Sequence, residues 1–249
     1  MNQTIKAMLR KYPAIYEPLS KIYRIFRPVP PPTIALIQMQ ILKHLKHKKS
    51  VFFVQVGSAD GLQGDPIHDL IISHPKWKGI FIEPVPFLFE KLKRNYNHSE
   101  QFIFENIAIS TKRGVRKFYY VSEEAKAELG DILPFWYEQL GSYYRNHIPE
   151  HLNGILDPYI VEEEIETITL QEIFDRNDIV KIDLIHIDTE KFDYKVLSQV
   201  DFLRYKPCVV LYETFHLSNA EKNSAESLLR KHNYNCVPYD RDTLALFKG

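Results

Sequence analysis

Cysteine is scarce: the chain holds two, Cys208 and Cys236, each in an apolar, strand-like setting. Two lone thiols argue against a disulfide framework or a cysteine-built metal site, and they suit a reducing compartment. Long apolar runs are also missing. No stretch reaches the roughly 18 apolar residues of a membrane span, and the polar first residues show no secretory signal core. A cytoplasmic location is therefore the expectation. Nor does one sign of charge prevail: 32 Lys/Arg stand against 32 Asp/Glu, so no global basicity points to nucleic acid as a partner. Repeats and low-complexity segments are absent, and only the proline cluster RPVPPPT, residues 27–33, reads as a linker. The phosphate-cradling pattern G-x-G-x-x-G is missing too. In VFFVQVGSADGLQGD, residues 51–65, glycine comes at 57, 61 and 64.

What is present is an ordinary globular composition, 45% apolar and 26% charged over 249 residues, enough for one large domain with an appendage. Charge is unevenly placed: residues 1–50 hold ten Lys/Arg and one acid, Glu17, whereas residues 122–166 hold eleven Asp/Glu against Lys126 and Arg145. Ahead of the proline cluster, Ile5, Met8, Leu9, Tyr12, Ile15, Tyr16, Leu19, Ile22, Tyr23 and Phe26 form one helical stripe, kinked near Pro13 and Pro18, with Lys6, Arg10, Lys11, Lys21 and Arg24 opposite. Such a basic amphipathic helix can lie on the inner, anionic face of a membrane, pack on a second copy as a homodimer contact, or pack on its own domain.

From residue 50 short apolar runs alternate with helical segments. Strands are expected at 51–56, 79–83, 101–109, 182–188 and 207–213, with helices at 66–74, 86–97, 169–177, 190–199 and 219–232. Two closing strands, 234–238 and 242–247, are joined by YDRD, too short for a crossover. The pattern predicts a doubly wound α/β domain over residues 50–249 with a mostly parallel sheet ending in an antiparallel hairpin, preceded by an N-terminal helical extension and linker over residues 1–49. Residues 122–166 read as an irregular acidic insertion.

Ligands of such sheets bind at the carboxyl ends of the strands. There the sequence puts Gly57 to Gly61, Glu83, Glu105-Asn106, Asp188, and Glu213 to His216. Any one of these can be a turn former or a helix cap. A dinucleotide would want a second glycine two residues after Gly57, where this chain has Ala59, and the acids Asp60 and Asp65 would repel its phosphates. Acids suit a cationic ligand, and Glu83 suits a ribose diol. A phosphate-free nucleoside with a positive centre describes S-adenosylmethionine.

The segments FVQVGSADGLQGDPIHDLI, WKGIFIEPVPFLFEKLKRNY, NIAIS, ETITLQEI, DLIHIDTEKFDYKVL and YETFHLS, in this order between about residues 50 and 247, together resemble the FkbM family of S-adenosylmethionine-dependent methyltransferases. The resemblance implies the class I methyltransferase fold, a seven-stranded sheet whose last strand is antiparallel. It also implies methyl transfer to an oxygen, commonly a sugar hydroxyl of a glycan, glycolipid or secondary metabolite, so the implied partner is a carbohydrate or glycan precursor. Carried over residue by residue, it makes Gln55, Gly57, Ser58, Asp60 and Gly61 the turn under the methionine part of the cofactor. Glu83 and Pro84 would stand at the ribose, and Asn106 and Ala108 near the adenine. Two departures stand out. The family turn usually reads Ala-Asn-Asp-Gly where this chain has Ser58-Ala59-Asp60-Gly61, and it usually has glycine where this chain has Lys191. A left-handed backbone is costly for lysine, so a local change of the turn, with Lys191 reaching the substrate, is the expectation.

A hydroxyl acceptor must lose a proton. Asp188, ending the fourth strand, is the first candidate base and His216 the second; His186 shares a strand face with Asp188 and could orient it. Glu190, Lys191 and Glu213 are candidates for holding substrate. Asp188, Glu190, Asp193, Glu213 and His216 could instead hold a hard divalent cation, but no ligand spacing demands one and no metal is assigned. In the insertion, ILPFWYEQLGSYYRNHI carries Trp136, Tyr137, Tyr143 and Tyr144 beside Arg145, a surface suited to a sugar or simply the packing of a lid onto the sheet. Ser142, Tyr143 and Arg145 stand where the family shows a similar run. Three function classes follow: a sugar O-methyltransferase, a methyltransferase of another acceptor such as a nitrogen or a phosphate or lipid headgroup, and a non-catalytic cofactor-binding scaffold.

Overall fold

The computed structural model describes residues 33–96 and 99–249. The basic amphipathic stripe before Thr33, with its expected membrane or homodimer contact, lies outside the described residues. From Ile37 onward the chain forms one compact unit.

Its elements are helix α1 (Thr33–Leu45), β1 (Phe52–Val56), α2 (His68–Ser73), β2 (Lys78–Ile82), α3 (Pro86–Asn95), β3 (Phe102–Glu105), β4 (Ala108–Ile109), β5 (Gly114–Val121) and α4 (Glu124–Leu129). A run of short 3₁₀ turns follows, then β6 (Ile160–Ile168), α5 (Leu170–Arg176), β7 (Leu184–Ile187), α6 (Asp193–Leu197), β8 (Val209–Glu213), α7 (Asn219–Lys231), β9 (Tyr234–Tyr239) and β10 (Asp242–Phe247). Seven strands build the main sheet in the order β3-β2-β1-β7-β8-β10-β9. β10 runs antiparallel to both its neighbours, whereas β3, β2, β1, β7 and β8 pair in parallel. This is the expected doubly wound sheet with its hairpin, and its strand order reverses between β1 and β7, the place where such sheets bind ligands.

The central strands are apolar on both faces because helices cover both. Val54, Ile82, Ile185, Ile187 and Tyr212 pack with Ile173, Phe174, Leu197 and Leu229 on one side. Phe53, Phe81, Leu184 and Leu211 pack with Ile37, Ile41, Leu45, Ile71 and Leu92 on the other. The core thus reaches back to Ile37, ahead of the segment that carries the family resemblance. On the second face, Gln55 and His186 continue the lines of Phe53 and Leu184, two residues on, and they stand opposite each other in the β1–β7 register. Two polar side chains therefore sit in a buried row at the strands' carboxyl ends.

The expected strand over 101–109 is two strands. β3 stays in the main sheet, and the chain leaves it at Asn106, whose amide donates to the Glu83 and Pro84 carbonyls at 2.8 and 3.1 Å. β4 joins β5 and β6 in a separate three-stranded sheet, order β4-β6-β5. Neither β5 nor β6 shows in an apolar-run reading, because each is amphipathic through charge: Lys117 lies in register with Glu164 and pairs with Glu162. The insertion has its own small core of Val121, Ala125, Tyr137, Leu140, Ile148 and Leu156. It is folded rather than irregular. The expected helix over 190–199 shortens to Asp193–Leu197, because Glu190 and Lys191 turn left-handed first.

Candidate active site

The loop after β1 is shaped by close approach. Gly57 has φ +77°, and a Cβ there would stand 1.7 Å from the Asp188 carbonyl oxygen, so no side chain fits between the ends of β1 and β7. Gly57 and Ser58 donate their amides to the Ile82 carbonyl at 3.0 and 3.2 Å. The Ser58 hydroxyl turns inward to the Gln55 and Ile82 carbonyls. Asp60 builds the turn: one of its oxygens accepts from the amides of Leu62 and Gln63 at 3.0 and 2.9 Å. Gly61 packs under Leu92 and Tyr96. Ser58 and Asp60 thus spend their polar side chains on the loop itself.

Glu83, at the end of β2, is buried and accepts one backbone amide on each oxygen, from Ala59 and Val85, both at 2.8 Å. Burial pushes its carboxyl up to about 7 despite those donors. Gln55 donates its side-chain amide to Asp65 and to His186 Nδ1, both at 3.1 Å, and its side-chain oxygen Oε1 is buried without a partner. His186 therefore answers to Gln55 across the β1–β7 pair; it does not orient Asp188. Burial lowers it to about 4, so it is a neutral imidazole whose Nδ1 accepts. Asp188 has one oxygen buried with no partner. Burial and then the neighbouring Glu190 push its carboxyl well above the usual range.

Between these groups runs a cleft, open to solvent, lined by Gln55, Gly57, Glu83, Ala108, Tyr143 and Asp188, among others. Ser58, Pro84 and His186 line it as well, whereas Asp60, Gly61 and Asn106 are not part of its lining. Its charged lining is acidic: Asp65, Glu83 and Asp188 face it, and among the described residues no lysine or arginine does. Asp65, expected as an acid suited to a cationic ligand, lines the cleft and is raised to about 6 by burial.

Beyond Asp188 the carboxyl edge carries a denser polar group. Asp193 is buried and accepts from the Thr189 amide at 2.8 Å. Glu213, also buried, holds the Arg241 guanidinium at 2.7 Å. His216 Nε2 receives the same guanidinium at 3.1 Å and lies 3.3 Å from Glu190. Burial, His147 and Arg241 lower His216 to about 3, so its ring is neutral. Arg241 escaped notice inside the four-residue hairpin turn. His147 and His151 escaped it inside the acidic stretch, although their spacing in HIPEH, four apart, is one that brings two imidazoles to one side.

Glu190 and Lys191 have φ +48° and +83°. The turn thus keeps the left-handed backbone with lysine in place, contrary to the expected local change. The Lys191 ammonium does not reach the cleft; it pairs with Glu150 of the insertion. Ser142 is buried, and its hydroxyl donates to the Glu190 carbonyl at 2.7 Å, fastening the insertion to that turn. Tyr143 lines the cleft, donates to the Ile109 carbonyl and carries the Arg116 guanidinium 4.0 Å over its ring. Trp136 packs against the insertion's own core, and Arg145 is exposed outside the cleft lining.

Solved structures similar to this chain include the precorrin-6y C5,15-methyltransferase of Geobacter metallireducens GS-15 (10% identity, 85% of this chain and 87% of that one, TM-score 0.42). Others are the ribosomal protein L11 methylase of Lactobacillus delbrueckii subsp. bulgaricus (10%, 86% and 76%, TM-score 0.41) and the human methyltransferase 10 domain containing protein (10%, 88% and 84%, TM-score 0.44). Comparison with curated proteins gives no match. Residues 55–236 match the family model described as the methyltransferase FkbM domain; with the strand order and the acidic cleft at its reversal point, this places the chain in the FkbM methyltransferase family.

Proposed function

We propose that the chain transfers a methyl group from S-adenosylmethionine to a hydroxyl of a sugar, in a glycan, a nucleotide sugar or a glycosylated metabolite. The observation that carries the reading is the cleft's acidic lining without lysine or arginine: it suits a cationic nucleoside and disfavours a pyrophosphate. The residues fit the group. Glu83 keeps lone pairs free beyond its two backbone donors and can accept from both ribose hydroxyls. Gln55 and Asp188, each with a buried, unpartnered oxygen, line the same cleft. When bound, the cofactor supplies an electrophilic methyl on a sulfonium sulfur.

Asp188 is the base in this reading. Its ionised form, which burial disfavours in the free chain and the positive centre of the bound cofactor would favour, takes the proton of the acceptor hydroxyl. His216, whose Nε2 already accepts from Arg241 and which lies outside the cleft lining, is not the base in this reading. The Ser142 contact to the Glu190 turn and Tyr143 in the lining put the insertion where it can exclude water from the acceptor. The cytoplasmic setting is consistent with the described residues, in which no helix is long and apolar enough to cross a membrane.

Calorimetric titration with S-adenosylmethionine and S-adenosylhomocysteine tests the cofactor; no binding by the wild type would sink the reading. A screen of sugars, nucleotide sugars and glycans for methyl incorporation tests the acceptor. Asp188→Asn should then bind cofactor and turn over at least about a hundredfold more slowly. Methylation of amines or phospholipids, but not hydroxyls, would replace the acceptor and leave the cofactor reading standing.

A further inference from the structure

At the carboxyl edge of β7 and β8, behind the cleft lining, three histidines meet. His147 and His151 come from the insertion and His216 follows β8. Their ring centroids are 4.8, 4.7 and 5.4 Å apart, with interplanar angles of 72°, 89° and 77°. One nitrogen from each lies within 4.8 Å of the other two. Glu190 adds an oxygen 2.8 Å from His147 Nε2 and 3.3 Å from His216 Nε2.

Hydrogen bonding does not account for this gathering. His147 is 0% exposed, and neither of its ring nitrogens has a hydrogen-bond partner. His151 Nε2 and the facing Glu190 oxygen are likewise buried without one. The 2.8 Å approach of His147 to Glu190 therefore lacks hydrogen-bond direction. Buried polar atoms almost always pair; four orphaned atoms from the insertion and the turn after β7, crowded beside His216 of a third segment, form a ligand set.

We propose that His147, His151, His216 and Glu190 bind a divalent first-row transition ion, with zinc the best match. Three imidazoles and one carboxylate are a zinc-type donor set; calcium and magnesium prefer all-oxygen shells. Ligands at 2.0–2.2 Å from one ion stand roughly 3–3.5 Å apart, close to the spacing of Glu190 with the two rings. Arg241, nearly half exposed, would release His216 and keep its bond to Glu213. The ion would join the insertion, through His147 and His151, to the ends of β7 and β8, whatever the methyl acceptor is.

The full chain, stripped with a chelator, dialysed and titrated with Zn²⁺ and separately with Co²⁺, tests this. One equivalent should bind, Co²⁺ should give the intense visible absorption of a four- or five-coordinate nitrogen-rich site, and Zn²⁺ should raise the melting temperature. His147→Phe, close in size to the imidazole it replaces, should weaken Zn²⁺ binding by more than about a hundredfold, beyond the loss of an outer partner. If that variant fails to fold, His151→Ala, at a half-buried site, should show the same loss with an unchanged circular dichroism spectrum. Substoichiometric uptake, the pale spectrum of aqueous cobalt, or wild-type affinity in a folded variant would overturn the site.

Discussion

Gly57 and Glu83 shape the end of the cleft proposed for the cofactor by different means, one by having no side chain and the other by having a buried one. Gly57→Ala would drive a methyl into the Asp188 carbonyl at a left-handed φ, and we expect a loss above about 4 kcal/mol in denaturant unfolding. Glu83 couples binding to pH. Its carboxyl titrates at about 7 in the folded chain, against an ordinary 4.5. As a carboxyl raised by folding, it favours the folded state below pH 4.5 and loses that contribution as pH rises to about 7, by at most about 3 kcal/mol. Only the ionised form accepts from two ribose hydroxyls. Cofactor affinity should therefore rise with pH through about 7 while this residue's share of stability falls. Calorimetry at a series of pH values checks the first trend. Glu83→Gln should flatten it and weaken binding at least about tenfold, and an unchanged profile would remove Glu83 from the ribose.

At the scale of elements, the turns after β1 and β7 hold non-glycine residues in left-handed backbone, Ala59 at φ +46° and Lys191 at φ +83°. Asparagine tolerates that region better than alanine, so Ala59→Asn should stabilise the chain by about 0.5–1 kcal/mol in thermal unfolding. Helix α5 starts on a capping box in which Thr169 and Glu172 bond each other's backbone amides. Thr169→Ala should cost about 1 kcal/mol in denaturant melts. The main-sheet strands were legible because burial on both faces writes Val/Ile/Phe runs into the sequence, and the hairpin because four residues cannot make a crossover. β5 and β6 were not, since their alternation lies in the sign of charge and β6 carries four glutamates. In the site, strand-end residues such as Glu83 and Asp188 could be read because position alone selects them. Arg241, His147 and His151 could not, because only tertiary packing carries them to the edge. Lys191 misled for the opposite reason: its backbone preference lost to a turn held by Ser142 and by the Asp193 contact to Thr189.

For the molecule as a whole, the catalytic sheet depends on residues outside the family-matching segment. Ile37, Ile41 and Leu45 are buried against Phe53 and Leu244. Ile41→Ala should cost about 2–5 kcal/mol, and a chain begun at residue 50 should expose that face and aggregate, as size-exclusion chromatography would show. The insertion is tied differently. It rides on the three-stranded sheet, whose strands β4 and β6 run side by side in parallel, Ala108 beside Thr167 and Ile109 beside Ile168, and the Ser110 amide closes onto the Ile168 carbonyl at 2.8 Å. The chain enters and leaves through one neck. Segments whose ends are adjacent in space can be exchanged as a cassette with little strain on the host. Grafting a relative's segment between residues 110 and 167 should leave Gly57 and Glu83 in place, and under the proposed reading it would change the acceptor while cofactor binding is kept.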